Sequence, residues 1–360
     1  MRSAERAKKI LDAIRALPER EVSLMEVCGT HTMAIAEAGI RSLLPPSVKL
    51  LSGPGCPVCV TPPEEIDAVL ALSAEPDVIL TSYGDMLRVP GSTRGDSLLR
   101  RRALGADVRV VYSPVDAVKI AEENPQKEVV FLGVGFETTA PGTAAAVRTA
   151  AEKDVKNFSV LSLLKSVEPA IRALLTADDV RVDGFLCPGH VATIIGEEGF
   201  RFLPEEYRKP AVISGFEAED ILLSVYCLLQ QILEEKPRIQ NEYRRAVVPE
   251  GNLLAKQMIR SSFTMRPCAW RGLGTIENSG FRLTDELAAF DAEKCFSLQK
   301  TAPVETGCRC GDVITGRIAP VQCPFFGNVC TPEDPIGPCM VSTEGACAAA
   351  YKYQEITEDE

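Results

Sequence analysis

Short apolar segments recur along the first two thirds of this chain, each followed by a glycine-rich loop and then by a stretch with helical spacing. Residues 23–27 read as a strand leading into Cys28-Gly29-Thr30-His31-Thr32 and a helix ending near Gly39. Residues 48–52 lead into GPGCPVC, after which Thr61 is placed as the N-cap of a helix with prolines in its first turn and Glu64 at the capping-box position. Ile66, Val69, Leu70 and Ser73 would form its buried face. Residues 78–81 and 108–112 are further strands; 129–133 precede GFETTAP and an alanine-rich helix; 184–186 precede CPGH; 211–214 precede GFEAEDIL and a long helix to about Glu235. Such alternation predicts an α/β fold, a mostly parallel sheet with helices on both faces and ligands beyond the carboxyl ends of the strands. Ahead of it, Ala7, Ile10, Leu11, Ile14 and Leu17 mark an amphipathic helix over 4–17 that Pro18 ends. Pro54-Gly55 and Pro188-Gly189 are 134 residues apart, as are Ile79 and Ile213, which suggests an internal duplication into two facing α/β units with the motif loops along the cleft.

Composition excludes several classes. The 360 residues are 46% hydrophobic and 25% charged, which is ordinary for a globular chain. A formal net charge of −11 disfavours a nucleic-acid partner, because phosphate binding needs a basic face. No apolar run approaches the roughly 18–20 residues of a membrane span. The N-terminus is charged and lacks the apolar core of a signal peptide, so no membrane association and a cytoplasmic location are expected.

In a reducing compartment, thirteen cysteines point to metal or redox chemistry rather than to a disulfide framework. Seven of them fall in the last 66 residues, where a stretch over 301–347, dense in Cys, Pro and Gly, cannot build a large core and needs a covalent or metal staple. Cys308, Cys323, Cys330 and Cys347 are spaced C-x14-C-x6-C-x16-C, with Cys310 and Cys339 interleaved. That spacing is not the paired C-x2-C of a zinc ribbon; an iron–sulfur cluster, a structural zinc site and reduced core thiols all remain open. Cys295, outside the dense run, reads as a core thiol, as does Cys227 within a long helix; Cys187 reads as structural. Cys56-Pro57-Val58-Cys59 near a helix start suits a redox dithiol or a metal clip. Cys28, where a strand meets a helix, suits a nucleophile or a soft-metal ligand. His31 and His190, the only histidines, could be ligands, bases or core residues. Gly133 and Gly135 precede a helix and could cradle an anion, but they lack the third glycine of a dinucleotide fingerprint, and Glu137 could either orient a ligand in the cleft or cap a helix.

Taken together and in order, CGTHT, GPGCPVCVTP, GFETTAP, CPGH and the terminal CPFFG-x2-CTPEDPIGPCMVSTEGACAAAYKY resemble the hydrogenase maturation factor HypD family, over essentially the whole chain from Cys28 to Tyr353. The resemblance implies a scaffold on which the Fe(CN)2CO group of [NiFe] hydrogenases is assembled with the partners HypC and HypE, rather than a stand-alone enzyme. It implies two similar Rossmann-like α/β domains with a cleft between them, plus a Cys-rich iron–sulfur domain holding a [4Fe–4S] cluster. The expected division is 20–125, 126–236, and 1–19 together with 237–360. By the same resemblance Cys28 holds the iron under assembly, Cys56 and Cys59 form the dithiol at the cleft, and Cys308, Cys323, Cys330 and Cys347 are the cluster ligands. Cys310 and Cys339 form a thiol/disulfide pair beside the cluster, which passes electrons to the two thiol pairs. His31 could hydrogen-bond a bound cyanide nitrogen or tune the Cys28 thiolate. The competing readings are an iron–sulfur thiol–disulfide oxidoreductase acting on a protein partner, and a non-redox interaction protein with structural zinc.

Overall fold

The computed structural model describes residues 2–353 apart from 178, 297 and 299–305, with side chains from Glu5 onward; 301–305 of the cysteine-dense stretch lie outside the described residues. In chain order the strands are β1 (Val22–Glu26), β2 (Val48–Ser52), β3 (Val78–Ser82), β4 (Val108–Val110), β5 (Glu128–Gly135), β6 (Phe158–Leu164), β7 (Gly184–Pro188), β8 (Ala211–Ser214), β9 (Ile239–Asn241), β10 (Phe263–Trp270) and β11 (Gly274–Leu283). β1, β2, β7, β8 and β9 form one parallel sheet in the order β2-β1-β7-β8-β9. β3 to β6 form a second parallel sheet in the order β4-β3-β5-β6. Every residue of β3, β6, β7 and β8 is buried, as expected of parallel strands covered on both faces.

Three apolar clusters organise the packing. One face of the five-stranded sheet (Leu24, Leu50, Leu186, Val212) is covered by Leu11 and Ile14 of the N-terminal helix and by Ile221, Val225 and Leu228 of the helix Ala218–Leu233. One face of the four-stranded sheet (Ile79, Val129, Phe131, Val160) meets the alanine-rich helix Ala140–Glu152, whose small side chains let the backbone approach closely. The third cluster joins the remaining face of each sheet, through Met25, Phe185 and Ile213 on one side and Leu80, Val130 and Leu132 on the other, with Cys310, Cys330, Cys339 and Cys347. The cysteine-rich segment therefore closes the core between the sheets.

Several expectations change. The sheets do not divide the chain at residue 125: residues 20–125 and 126–236 each supply strands to both. Leu24 pairs with Leu50 on one side and Gly184 on the other, a choice of neighbour that short apolar strands do not encode locally. Ile79 and Ile213 lie in different sheets while the loops at Gly55 and Gly189 leave the same one, so the 134-residue offset does not map one sheet onto the other. The helix Arg2–Arg15 packs on the five-stranded sheet instead of grouping with 237–360, because its apolar stripe needs that cover. Pro62, not Thr61, is the N-cap of Pro63–Leu72; the Thr61 hydroxyl donates to the Pro57 carbonyl at 2.9 Å. The reading also missed β6 and the antiparallel β10–β11 hairpin, in whose turn Gly272 (φ 80°) lies against the backbone of Gly311, leaving no room for a Cβ on either. Cys295 is exposed, with its thiol on the Ala289 carbonyl, and is not a core thiol; Cys187 and Cys227 are buried.

Candidate functional site

Most of the motif loops leave the carboxyl end of the five-stranded sheet: Cys28 follows β1, Gly53–Gly55 follow β2, Gly189 and His190 follow β7, and Gly215 and Phe216 follow β8. The loop after β2 lies directly on Cys28. Gly29 N–H donates to the Gly55 carbonyl at 3.1 Å, and a Cβ on Gly55 would overlap the Cys28 backbone. Gly55→Ala is therefore expected to lower stability by roughly 3 kcal/mol, read as a shift of the urea midpoint. An unshifted midpoint would show that the two loops separate without cost.

Cys28 is the N-cap of the helix Gly29–Glu37 and only 7% exposed. Burial pushes its thiol up to about 12; the N–H groups of His31 and Thr30 oppose this, and Glu344 and Glu26 reinforce it. His31 is fully buried. Its Nε2 bonds the Gly215 carbonyl at 2.9 Å and so carries the hydrogen, while Nδ1 has no partner among the described residues. Burial pushes the ring down to about 4. In that neutral tautomer Nδ1 offers a lone pair and has no hydrogen to give a cyanide nitrogen. Phe216 packs against both histidines, tilted at 4.7 Å from His31 and stacked at 4.0 Å on the exposed His190.

Beneath Cys28, the wholly buried Glu26 accepts the Thr32 hydroxyl at 2.6 Å and the Cys28 N–H at 3.1 Å. Burial pushes its carboxyl from 4.5 up to about 7, against the pull of Thr32, the Cys28 N–H and Arg41. A carboxyl that holds its proton more tightly when folded contributes stability below pH 4.5 and loses it as pH rises through about 7. His31 has the opposite sign, contributing fully above 6.5 and losing it as pH falls through about 4. Glu26→Gln removes the first effect alone. Relative to the native protein, the variant should gain about 3 kcal/mol between about pH 5 and about pH 8 in urea unfolding. A constant difference across that range refutes the assignment.

Cys56 and Cys59 are both buried and face each other: Cys59 N–H donates to Cys56 Sγ at 3.1 Å, and burial pushes the Cys59 thiol well up. Cys56 Sγ also lies 3.3 Å from Ser342 Oγ. Ser342 belongs to a strap running from Pro338 to Cys347 along the cysteine centres. Asp85, beyond β3, accepts from Thr343 N–H at 2.9 Å and from the Ser342 hydroxyl at 3.3 Å, and Arg88 donates to the Val341 carbonyl. On the other side, Glu344 accepts the Thr30 hydroxyl at 2.7 Å and fills the space a Cβ on Gly29 would need. The half-buried Arg271 guanidinium donates twice to the Thr61 carbonyl and feels the charges of Cys308 and Cys59, which oppose the downward effect of its desolvation.

Cys308, Cys323, Cys330 and Cys347 line one small apolar cavity, together with Cys310 and Cys339, which a disulfide joins. Burial raises the Cys347 thiol, and Cys308, Cys330 and Cys323 raise it further by repulsion. Among the described residues, no three His, Cys, Asp or Glu side chains are gathered as ligands of a single metal ion. Four thiols around one cavity do fit the donor chemistry of an iron–sulfur cluster. Glu137 serves as a helix cap. Its Oε1 accepts the Ser166 hydroxyl at 2.7 Å and Val167 N–H at 3.0 Å, capping the helix Val167–Leu175, while Oε2 is buried with no partner among the described residues. Sequence reasoning did not find Glu26, Ser342, Glu344 or Arg271, whose roles arise from neighbours distant in the chain.

Parallel α/β sheets whose strand ends carry cysteine loops, with a cysteine-lined cavity alongside, define a thiol-rich α/β protein. The family described as "Hydrogenase formation hypA family", designated HypD, matches residues 5–354, and this chain belongs to it. The chain is 46% identical over 342 residues to the hydrogenase maturation factor HypD of Escherichia coli, covering 94% of this chain and 90% of that one. It is 45% identical over 362 residues to HypD2 of Bradyrhizobium diazoefficiens (98% and 95%) and 44% identical over 362 residues to HypD of Cupriavidus necator (98% and 95%). Its role is in hydrogenase maturation. Among the described residues no helix is long and apolar enough to cross a membrane.

Proposed function

We propose that this protein is the scaffold on which the Fe(CN)2CO group of [NiFe] hydrogenase is assembled in the cytoplasm, with HypC and HypE as partners. The observation that carries the reading is the strap Pro338–Cys347. One short segment bears Cys339 and Cys347, touches the Cys56 sulfur through Ser342 and reaches the Cys28 loop through Glu344. The sheets are read as two Rossmann-like units with the cysteine loops in their cleft, and the segment 306–353 as the iron–sulfur unit.

Cys28 supplies the thiolate for the iron substrate, since low-spin ferrous iron favours a soft sulfur ligand. Its buried thiol gives up a proton as iron binds, and the N–H groups of Thr30 and His31 then hold the thiolate. His31 stays neutral in this loop, because burial pushes its ring down to about 4, and among the described residues its Nδ1 has no partner. Cys56 and Cys59 form the dithiol at the cleft, and Ser342 orients Cys56. Cys308, Cys323, Cys330 and Cys347 would hold a [4Fe–4S] cluster, which supplies one-electron transfer when bound. Cys310 and Cys339 are its neighbouring thiol/disulfide pair. Glu137 keeps its capping position, and His190 lines the cleft through its stacking on Phe216.

Anaerobic purification with the small partners tests the reading. Iron and sulfide at about four each per chain, without zinc, together with cyanide and carbonyl stretching bands in the infrared, are expected. Cluster without bands would favour a thiol–disulfide oxidoreductase, and zinc without sulfide would overturn both.

A further inference from the structure

Lys165 and Cys268 lie outside the cysteine centres described above. Lys165 follows β6 directly, and its side chain is wholly buried. Its Nζ contacts Cys268 Sγ at 2.9 Å, Ala269 O at 2.9 Å and Glu65 Oε2 at 3.0 Å. Three partners for three ammonium hydrogens hold nitrogen and sulfur in direct contact, with nothing between them. Cys268 sits in β10, where the register with β11 slips between Arg266 and Cys268, and is 6% exposed. Glu65 is 19% exposed, so the pair lies one side chain beneath the surface, within reach of a small apolar oxidant.

We propose that Lys165 and Cys268 form an oxygen-bridged nitrogen–oxygen–sulfur cross-link when the protein meets dioxygen. In the reaction, R–SH and R′–NH2 combine with O2 to give R–S–O–NH–R′ and water. The O–O bond breaks, S–O and N–O bonds form, and the thiol hydrogen and one amine hydrogen leave as water with the second oxygen. Sulfur and nitrogen lose two electrons each, and dioxygen takes all four. Two equivalents of a dithiol reverse it, returning thiol, amine and water. β10 runs on through Trp270 to Arg271, whose N–H holds the Val60 carbonyl at 2.8 Å, and Glu65 lies in the helix that follows the same loop. The cross-link therefore ties the β10–β11 hairpin to the end of β6 immediately behind the Cys56–Cys59 loop. Oxygen exposure would stiffen the support of the dithiol without consuming either of its sulfurs. The inference is independent of the iron-assembly reading.

The test uses the full-length protein purified without air and divided into anaerobic and air-exposed portions. Each is digested without reductant and analysed by mass spectrometry. In the air-exposed portion, the peptides carrying Lys165 and Cys268 should be joined, heavier than their sum by one oxygen less two hydrogens. Trypsin should fail to cut after Lys165, and dithiothreitol should restore both peptides. Cys268→Ser, with its fold checked by circular dichroism, should abolish the species and restore cleavage; Lys165→Arg should abolish it too. If air-exposed native protein yields Cys268 as free thiol or sulfinic acid with Lys165 cleavable, the proposal fails. It fails equally if urea-unfolded protein forms the cross-link in the same yield, because the folded contact would then be irrelevant.

Discussion

Cys28→Ser is expected to remove the iron-bound cyanide and carbonyl bands completely while leaving the fold in place. The serine hydroxyl is nearly the size of the thiol and is itself a favoured N-cap, so the helix Gly29–Glu37 keeps its start. The backbone contact with Gly55 does not involve the side chain, so the loop after β2 also keeps its seat. What changes is the donor: an alcohol is hard and far less acidic than a thiol, and low-spin ferrous iron has little affinity for it. Unfolding by urea should move by no more than about 1 kcal/mol. Infrared intensity in the anaerobically co-purified complex should fall to background, and hydrogenase activity in cells relying on this protein should fall to that of cells lacking it. Bands of full intensity in the variant would sink the assignment of Cys28 as the iron-holding residue.

Cys330→Ala should eliminate the cluster and loosen the segment around it. Cys330 and Cys347 are buried in the same apolar cluster as Val313, Ile314 and Met340, so the thiols form part of the core that closes the space between the sheets. Burial and mutual repulsion both oppose ionisation of Cys347 and Cys308, and a bound cationic centre would relieve both. Metal loading is then coupled to the order of this segment. Iron and sulfide are expected at background in the variant, with new proteolytic cuts within 306–353. Cys295→Ala is the control. Its thiol is exposed, so loading should be unchanged and stability should move by no more than about 0.5 kcal/mol. A full complement of iron and sulfide in Cys330→Ala would remove Cys330 from the ligand set. Ser342 and Glu344 lie on the strap bounded by Cys339 and Cys347, so alkylation of Cys56 should also change rate in Cys330→Ala.

The α/β class, the parallel strands and the placement of motif loops at strand ends were legible because they rest on local signals. Apolar runs such as Val48–Ser52 and Ala211–Ser214, glycines before helices and prolines in first turns each act within a few residues. Cysteine crowding near the C-terminus was equally legible, since it needs only counting.

Partner choice was not legible. β1 could have paired with β3 as well as with β7 on apolar pattern alone, and the assignment of β3 to a second sheet moved the expected unit boundaries. Gly55 reads as one more turn glycine until the Cys28 backbone is seen against it. His31 and Glu137, equally ambiguous in sequence, separate only in space: one bonds the Gly215 carbonyl from within the Cys28 loop, the other caps the helix Val167–Leu175. Lys165 and Cys268, 103 residues apart, carry no sequence signal at all, yet they meet at 2.9 Å. Local pattern settled most of the strands and helices of the parallel sheets, though not β6 or the β10–β11 hairpin, and where the thiols accumulate, because those depend on neighbours along the chain. Which sheet each strand joins, which thiol faces which, and which polar group is left buried are set by contacts between segments distant along the chain, and they emerge only once the chain is folded.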